Sequence, residues 1–197
     1  KAVVAPELEF YLCEQNLDPD LPLKTPIGKS GRREKGSRVF GIDAVNEFDD
    51  LTDDIYDYCE ILKIGVDTLI HESGPSQIEI NLNHGDPLQL ADQAFMFKRA
   101  VRQVALKHGI HATFMSKPYQ GHPGSSMHIH QNIISKKTNK NLFSDENGNN
   151  TEEFFHFIGG LQTYLPDAML FFAPYVNSYR RFVIDASAPI NTHWGFE

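Results

Sequence analysis

The chain is short of cysteine, of long apolar runs and of positive charge, and each shortage excludes a class of protein. Its two cysteines, Cys13 and Cys59, have no Cys-x-x-Cys spacing, which argues against a disulfide scaffold or a zinc module. Without a run of about 18 apolar residues, no transmembrane helix is predicted. The 18 basic and 26 acidic residues give a formal net charge of −8, which disfavours a nucleic acid as the main ligand.

The N-terminal residues show no leader peptide, because Lys1 is followed directly by a strand pattern. We therefore expect a cytoplasmic protein whose cysteines are reduced and buried. The first residue is not methionine, and the sequence ends abruptly at Trp194-Gly195-Phe196-Glu197. We expect a fragment of a longer protein on these grounds.

Hydrophobic periodicity predicts an α+β fold with one core, since helical segments alternate with antiparallel-type strand pairs. Strands are predicted at 2–13, 66–71, 77–82, 110–115 and 127–134, with 142–143 as a hairpin partner of the last. Helices are predicted from Asn46 or Asp49 to 64, from Pro87 to 108 after an Asp86 cap, and from a Thr151 cap to 172. Residues 14–45 are predicted to form a long exposed loop and residues 177–197 an irregular tail.

Acidic and histidine side chains recur at every second position of the predicted strands. The pairs are Glu7 and Glu9, Gln77 and Glu79, and His128 and His130. Residues i and i+2 of a strand point to the same face, and the other face is predicted to pack through Leu8, Phe10, Ile78, Ile80, Met127 and Ile129. If the polar groups converge on one sheet face, bound cations would relieve their repulsion.

Each pattern alone is weak evidence for a site. An isolated Glu-x-Glu more often lines an exposed strand face, and a pair of histidines is more often structural than metal-binding. The basic residues Arg32, Arg33, Lys35 and Arg38 are interpreted as a solvated loop rather than a phosphate site.

Several motifs in one order make the pattern specific. They are Pro6-Glu7-Leu8-Glu9-Phe10, His71-Glu72, Gln77-Ile78-Glu79, Phe114-Met-Ser-Lys-Pro118, Ser126-Met-His-Ile-His130, Asn177-Ser-Tyr-Arg-Arg181 and Ala188-Pro-Ile-Asn-Thr-His-Trp-Gly195. From Ala5 to Trp194 the chain resembles the catalytic domain of the glutamine synthetase family. The resemblance implies a curved antiparallel sheet with helices on its outer face. It also implies an ATP-dependent ligase that joins an amine to the γ-carboxylate of glutamate through γ-glutamyl phosphate, using Mg²⁺ or Mn²⁺.

The resemblance also implies a role for individual residues. Glu9, Glu72 and Glu79 match ligands of a first metal, and Glu7 and His128 match ligands of a second metal that holds the ATP phosphates. His130 matches a residue beside the nucleotide, and Asn132 stands where the family has a nearby serine. Gly124 matches a backbone contact to glutamate, and Arg181 matches the arginine that binds the substrate carboxylate. Lys117 is a candidate for phosphate contact or an ordinary surface lysine.

Departures from the family pattern concern the amine. Ser187 stands where ammonia-using members have a glutamate that accepts the ammonium proton, and Pro123 replaces an asparagine before Gly124. This combination of residues is similar to that of the γ-glutamylpolyamine (γ-glutamylputrescine) synthetase branch, whose acceptor is an organic amine or polyamine. An ordinary glutamine synthetase in which Asp185 accepts the proton stays open, as does a non-catalytic family member with a structural or regulatory role.

The resemblance implies that residues 1–197 are only part of a catalytic domain. We expect a β-rich domain before it and further residues after it, including one metal ligand. We also expect a homo-oligomer, a dodecamer in the full-length parent, with no nucleic acid or membrane partner. The isolated 197 residues are predicted to bind metal weakly and to lack ligase activity.

Overall fold

A five-stranded antiparallel sheet organises the protein, whose computed structural model describes residues 1–36, 38–184 and 186–196. The strands are β1 (Ala2–Glu14), β2 (Val66–His71), β3 (Gln77–Leu82), β4 (Ile110–Thr113) and β5 (Met127–Ile133). β1 pairs with β3 along one edge, and β5 and then β4 pair with successive parts of its other edge. β2 completes the sheet beyond β3. The α+β prediction is confirmed, and β2 and β3 have the bounds expected from their sequence.

Two helices cover one face of this sheet and form the core with it. They are α2 (Asp49–Ile61) and α3 (Pro87–Lys107). The alternation in β1 and β3 places Leu8, Phe10, Ile78 and Ile80 against them, each at most 1% exposed. Phe97 of α3 is fully buried in the same cluster. Full burial of such a side chain contributes about 1.5–3 kcal/mol, so the packing on this face stabilises the fold.

The core face predicted for β5 is wrong. Met127 is 44% exposed and Ile129 is 41% exposed. The buried cluster under the sheet draws its residues from β1, β3, β4, the two helices and Ile64, and among the described residues none comes from β5. Alternation predicts which residues share a face, but burial requires a second layer over that part of the sheet.

The predicted start of α3 is confirmed. Asp86 Oδ1 accepts hydrogen bonds from the backbone N–H groups of Leu88 at 3.1 Å and Gln89 at 3.4 Å. Pro87 occupies the first turn, where its missing N–H costs nothing. Gly109 follows the helix with φ +73°, a left-handed conformation that favours glycine.

The predicted cap of α2 is wrong, as is the description of residues 14–45 as one exposed loop. α2 begins after Phe48 without a side-chain cap, and Asn46 instead ends a separate short helix, α1 (Ile42–Asn46). The segment before α1 is anchored to the sheet: the Arg33 guanidinium contacts Glu14, and Phe40 N donates to His71 O at 2.9 Å. These contacts are long-range and leave no periodic signal in the sequence.

The single helix predicted from 151 to 172 is two helices, α4 (Glu152–Tyr164) and α5 (Met169–Phe172). Pro166 lies between them and prevents one continuous helix, because proline has no N–H to donate and its ring clashes with the preceding turn. The predicted Thr151 cap is confirmed, since its Oγ1 accepts from Phe154 N at 3.3 Å. A 3₁₀ helix follows at Val176–Arg181 and includes the first residues of the tail predicted as irregular. No helix among the described residues is long and apolar enough to cross a membrane.

Candidate metal centre

Three strands bring Glu7, Glu79 and His128 together on the face opposite the core. β1 is central, so Glu7 lies opposite His128 of β5, while the neighbouring Glu9 lies opposite Glu79 of β3. One ligand atom from each of Glu7, Glu79 and His128 lies within 4.8 Å of the other two. Two carboxylates and an imidazole form a donor set that suits a divalent cation.

Crowding of carboxylates dominates the electrostatics of this face. Burial, together with the negative charges of Glu7, Glu72 and Glu9, raises the pKa of Glu79 to about 7. The pKa of Glu72 is also raised, chiefly by burial, although a hydrogen bond from Ser73 N opposes the rise. A bound cation would remove this penalty, because it favours the ionised form of every carboxylate around it.

Two histidines lower the pKa of Glu7. Burial alone would raise its pKa, but hydrogen bonds from His130 and His128 outweigh burial and lower it. His128 Nδ1 lies 3.0 Å from Glu7 Oε2, and His130 Nε2 contacts the other carboxylate oxygen. His130, predicted to lie beside a nucleotide, therefore lies next to the carboxylate cluster, and both imidazoles are mostly exposed on the open face.

Glu9 is buried and held by neutral donors. Its Oε2 accepts from Gln77 Nε2 at 3.0 Å and from Ser126 N at 3.2 Å, and its Oε1 accepts from Ser126 Oγ. Glu9 and Glu72, predicted as metal ligands with Glu79, are not in the three-residue cluster. The sequence interpretation assigned no role to Ser126. The signal that could have identified it is its position two residues before His128, which in a strand pattern places both side chains on one face.

Arg181 lies directly against Gly124. A Cβ atom at Gly124 would come within 2.6 Å of Arg181 Cδ and of Ser116 O, so only glycine fits there. Arg181 Nη1 donates to Ser125 O at 3.0 Å, while its buried Nε has no hydrogen-bond partner among the described residues. Burial lowers the pKa of Arg181 and nearby Glu9 opposes that change. A carboxylate ligand would satisfy such a donor.

Among the described residues, the side chains of the other predicted site residues make no hydrogen bond to this cluster. The backbone N–H of Lys117 donates to Asn177 Oδ1 at 2.7 Å. The ammonium group of Lys117 contacts His122 O. Asn132 lies on β5 opposite Val3. Ser187 is exposed, and among the described residues no hydrogen bond joins its side chain to the cluster. Asp185, the alternative proton acceptor, lies outside the described residues.

The protein-family model described as glutamine synthetase, catalytic domain, matches residues 1–197, which is the entire chain. The chain is 40% identical to γ-glutamylputrescine synthetase PuuA of Escherichia coli (strain K12) over 98% of its length, and 35% identical to glutamine synthetase of Pyrococcus abyssi (strain GE5 / Orsay) over its full length. The structure also resembles the cryo-EM structure of Plasmodium falciparum glutamine synthetase, with a TM-score of 0.79 over 92% of this chain and 39% of that chain at 23% identity, a likeness of fold.

The chain spans about two fifths of the length of the curated relatives it matches. It covers 41% of the Escherichia coli protein and 42% of the Pyrococcus abyssi protein. The three residues of the cluster come from β1, β3 and β5, so this portion contains the sheet face on which they meet.

Proposed function

Because the chain belongs to the glutamine synthetase family, we propose that it forms part of an ATP-dependent ligase that joins an amine to the γ-carboxylate of glutamate. The γ-carboxylate is first phosphorylated and the amine then displaces phosphate. The observation that carries this proposal is the convergence of Glu7, Glu79 and His128 on the open face of the sheet. Glu79, with a pKa of about 7 and three other carboxylates near it, indicates a cation-binding site.

The residues present fit a pair of Mg²⁺ or Mn²⁺ ions. The resemblance assigns Glu9, Glu72 and Glu79 to one ion and Glu7 and His128 to the other, and Glu79 comes within 4.8 Å of the second pair. When bound, the ions neutralise the charge that develops on the phosphoryl group during transfer. His128 and His130 keep Glu7 ionised through their hydrogen bonds, and Ser126 and Gln77 orient Glu9.

Substrate binding is assigned to the surroundings of this centre. The Arg181 guanidinium binds the glutamate carboxylate, since its planar fork matches a carboxylate and its Nε is a free donor among the described residues. The backbone at Gly124 contacts glutamate beside it. His130, Asn132 and Lys117 contribute to ATP binding on the open face.

The amine acceptor is proposed to be organic, such as a polyamine. Ser187 is neutral and cannot serve as the anionic ammonium subsite of an ammonia-using enzyme. The relative at 40% identity carries the name γ-glutamylputrescine synthetase, which supports this choice. The second candidate is glutamine synthesis from ammonia with Asp185 as proton acceptor, favoured by the 35% identical glutamine synthetase.

A direct test measures phosphate release by the natural full-length protein with ATP, glutamate and Mg²⁺, comparing ammonia with putrescine, spermidine and monoamines. Release that depends on an organic amine supports the proposal, and Ser187→Glu is then expected to shift preference towards ammonia. Faster release with ammonia supports the glutamine synthetase alternative. Absence of release with any acceptor refutes the ligase and supports a non-catalytic family member. Assembly into a homo-oligomer, a cytoplasmic location and inactivity of the isolated 197 residues stay predictions.

A further inference from the structure

Glu34 lies in the segment before α1 and reaches the turn between β2 and β3. Its side chain is 11% exposed. Glu34 Oε2 accepts a hydrogen bond from Ser76 N at 2.6 Å and contacts His71 Nε2 at 2.9 Å. A nearly buried carboxylate that bonds to both sides of one turn connects two segments about 40 residues apart in sequence.

The contact continues through His71 to Glu72. The His71 ring is 1% exposed, and its Nδ1 lies 2.8 Å from Glu72 O. A carbonyl oxygen accepts only, as does an ionised carboxylate. The ring therefore bridges the Glu34 carboxylate to the backbone of Glu72, the residue proposed to bind metal.

The turn itself is strained and tightly packed. Ser76 has φ +57°, a left-handed conformation that a non-glycine residue adopts only when its surroundings impose it. On the other side of the turn, a Cβ atom at Gly74 would overlap the Tyr11 ring. The hydrogen bond from Ser76 N to Glu34 is one of the contacts that hold this conformation.

Both ends of the turn carry groups of the metal centre. Glu72 lies at the start of this 71–77 turn, and Gln77, which donates to Glu9 at 3.0 Å, lies at its end, two residues before Glu79. Gln77 Oε1 also accepts from Gly74 N at 2.9 Å inside the turn. A change in the turn conformation therefore moves groups on both sides of the centre.

We propose that Glu34 is a positioning residue for the metal centre: its carboxylate holds the 71–77 turn in the conformation that places Glu72 and Gln77. The metal-binding part of this inference rests on the proposed function, whereas the effect on the turn does not. Glutamine at position 34 keeps the shape, removes the charge and puts an amide N–H₂ where Glu34 Oε1 is buried without a partner among the described residues.

The test compares Glu34→Gln with Glu47→Gln in the natural full-length protein. Glu47 is a matched control, because its Oε2 accepts from Ser30 N at 3.0 Å in the same segment and makes no hydrogen bond to the 71–77 turn among the described residues. Mn²⁺ affinity is measured by titration with electron paramagnetic resonance detection. Amide hydrogen exchange of a peptide spanning 70–78 is measured in metal-free protein.

We expect Glu34→Gln to weaken Mn²⁺ binding about tenfold, the lower end of the range for groups that orient metal ligands. We expect faster exchange in 70–78 for this variant, with Glu47→Gln unchanged in both measurements. His71→Asn keeps a donor towards Glu72 O and loses the contact with Glu34, so it is expected to reproduce both effects. This variant replaces Glu34→Gln as the test if Glu34→Gln does not fold.

Wild-type Mn²⁺ affinity in Glu34→Gln and in His71→Asn would overturn the positioning role, whatever the exchange rates, and leave the proposed function intact. Equal loss of affinity in Glu47→Gln would also overturn it, since the effect would then belong to the segment as a whole. Wild-type protein that binds no Mn²⁺ would refute the proposed metal centre and this inference together.

Discussion

Replacing Glu79 by glutamine is expected to stabilise the metal-free protein above neutral pH and to remove its stabilisation by divalent ions. Glu79 is 6% exposed, and the negative charges of Glu7, Glu72 and Glu9 act on it. Without a cation, ionising Glu79 places a fourth negative charge in a poorly solvated cluster. Glutamine has nearly the same shape and carries no charge, so it removes the repulsion and also removes a ligand.

The sign and size follow from the pKa. The folded state raises the pKa of Glu79 from 4.5 to about 7, so it holds the proton more tightly than the unfolded chain. This stabilisation is fully present below about pH 4.5 and is lost as pH rises through about 7. At about 1.4 kcal/mol per pKa unit the full effect at pH 8 is about 3 kcal/mol. Screening on the open face and sharing among the four carboxylates reduce our expectation to about 1–2 kcal/mol.

The assay is thermal unfolding of the natural full-length protein in EDTA between pH 5 and 8, repeated with Mn²⁺ at pH 8. Glu79→Gln is expected to melt above wild type at pH 8 in EDTA, with the difference shrinking towards pH 5. Mn²⁺ is expected to raise the melting temperature of wild type only. The control is Glu60→Gln, an exposed residue of α2, for which a change within about 0.5 kcal/mol is expected.

Two results would refute this reasoning. A Glu79→Gln variant that melts at or below wild type at pH 8 in EDTA would show that the carboxylates do not repel one another as the geometry indicates. Undiminished stabilisation of the variant by Mn²⁺ would show that Glu79 is not a ligand.

Three further changes test other parts of the structure. Phe97→Ala empties a fully buried position between α3 and the sheet and is expected to lower the free energy of unfolding by about 3–5 kcal/mol in urea denaturation; a loss below 1 kcal/mol would contradict the assigned core. Gly124→Ala places a methyl group 2.6 Å from Arg181 Cδ, so we expect KM for glutamate to rise at least tenfold with KM for ATP nearly unchanged, and equal rises in both would argue against a glutamate subsite. Asp86→Ala removes the acceptor for Leu88 N and Gln89 N and is expected to cost about 1 kcal/mol, which Asp86→Ser should largely restore.

Several errors in the sequence predictions have identifiable physical causes. The helix predicted through residue 172 overlooked Pro166, a local signal that was present in the sequence. The burial predicted for Met127 and Ile129 failed because alternation does not reveal whether a helix covers a strand. The anchoring of residues 14–45 was not predictable from pattern, because it depends on single long-range bonds such as that from Ser76 N to Glu34.

By itself, the sequence determined which side chains of β1 and β3 face the core and which face the open side, since a period of two is a local property of an extended backbone. It also determined the start of α3, because Asp86 and Pro87 act on their own next few residues. Only the tertiary structure decided that Glu7, Glu79 and His128 approach within 4.8 Å, and that Glu34 reaches the turn before Glu79. Strand order, register and burial depend on contacts between segments distant in the chain, and no local pattern encodes them.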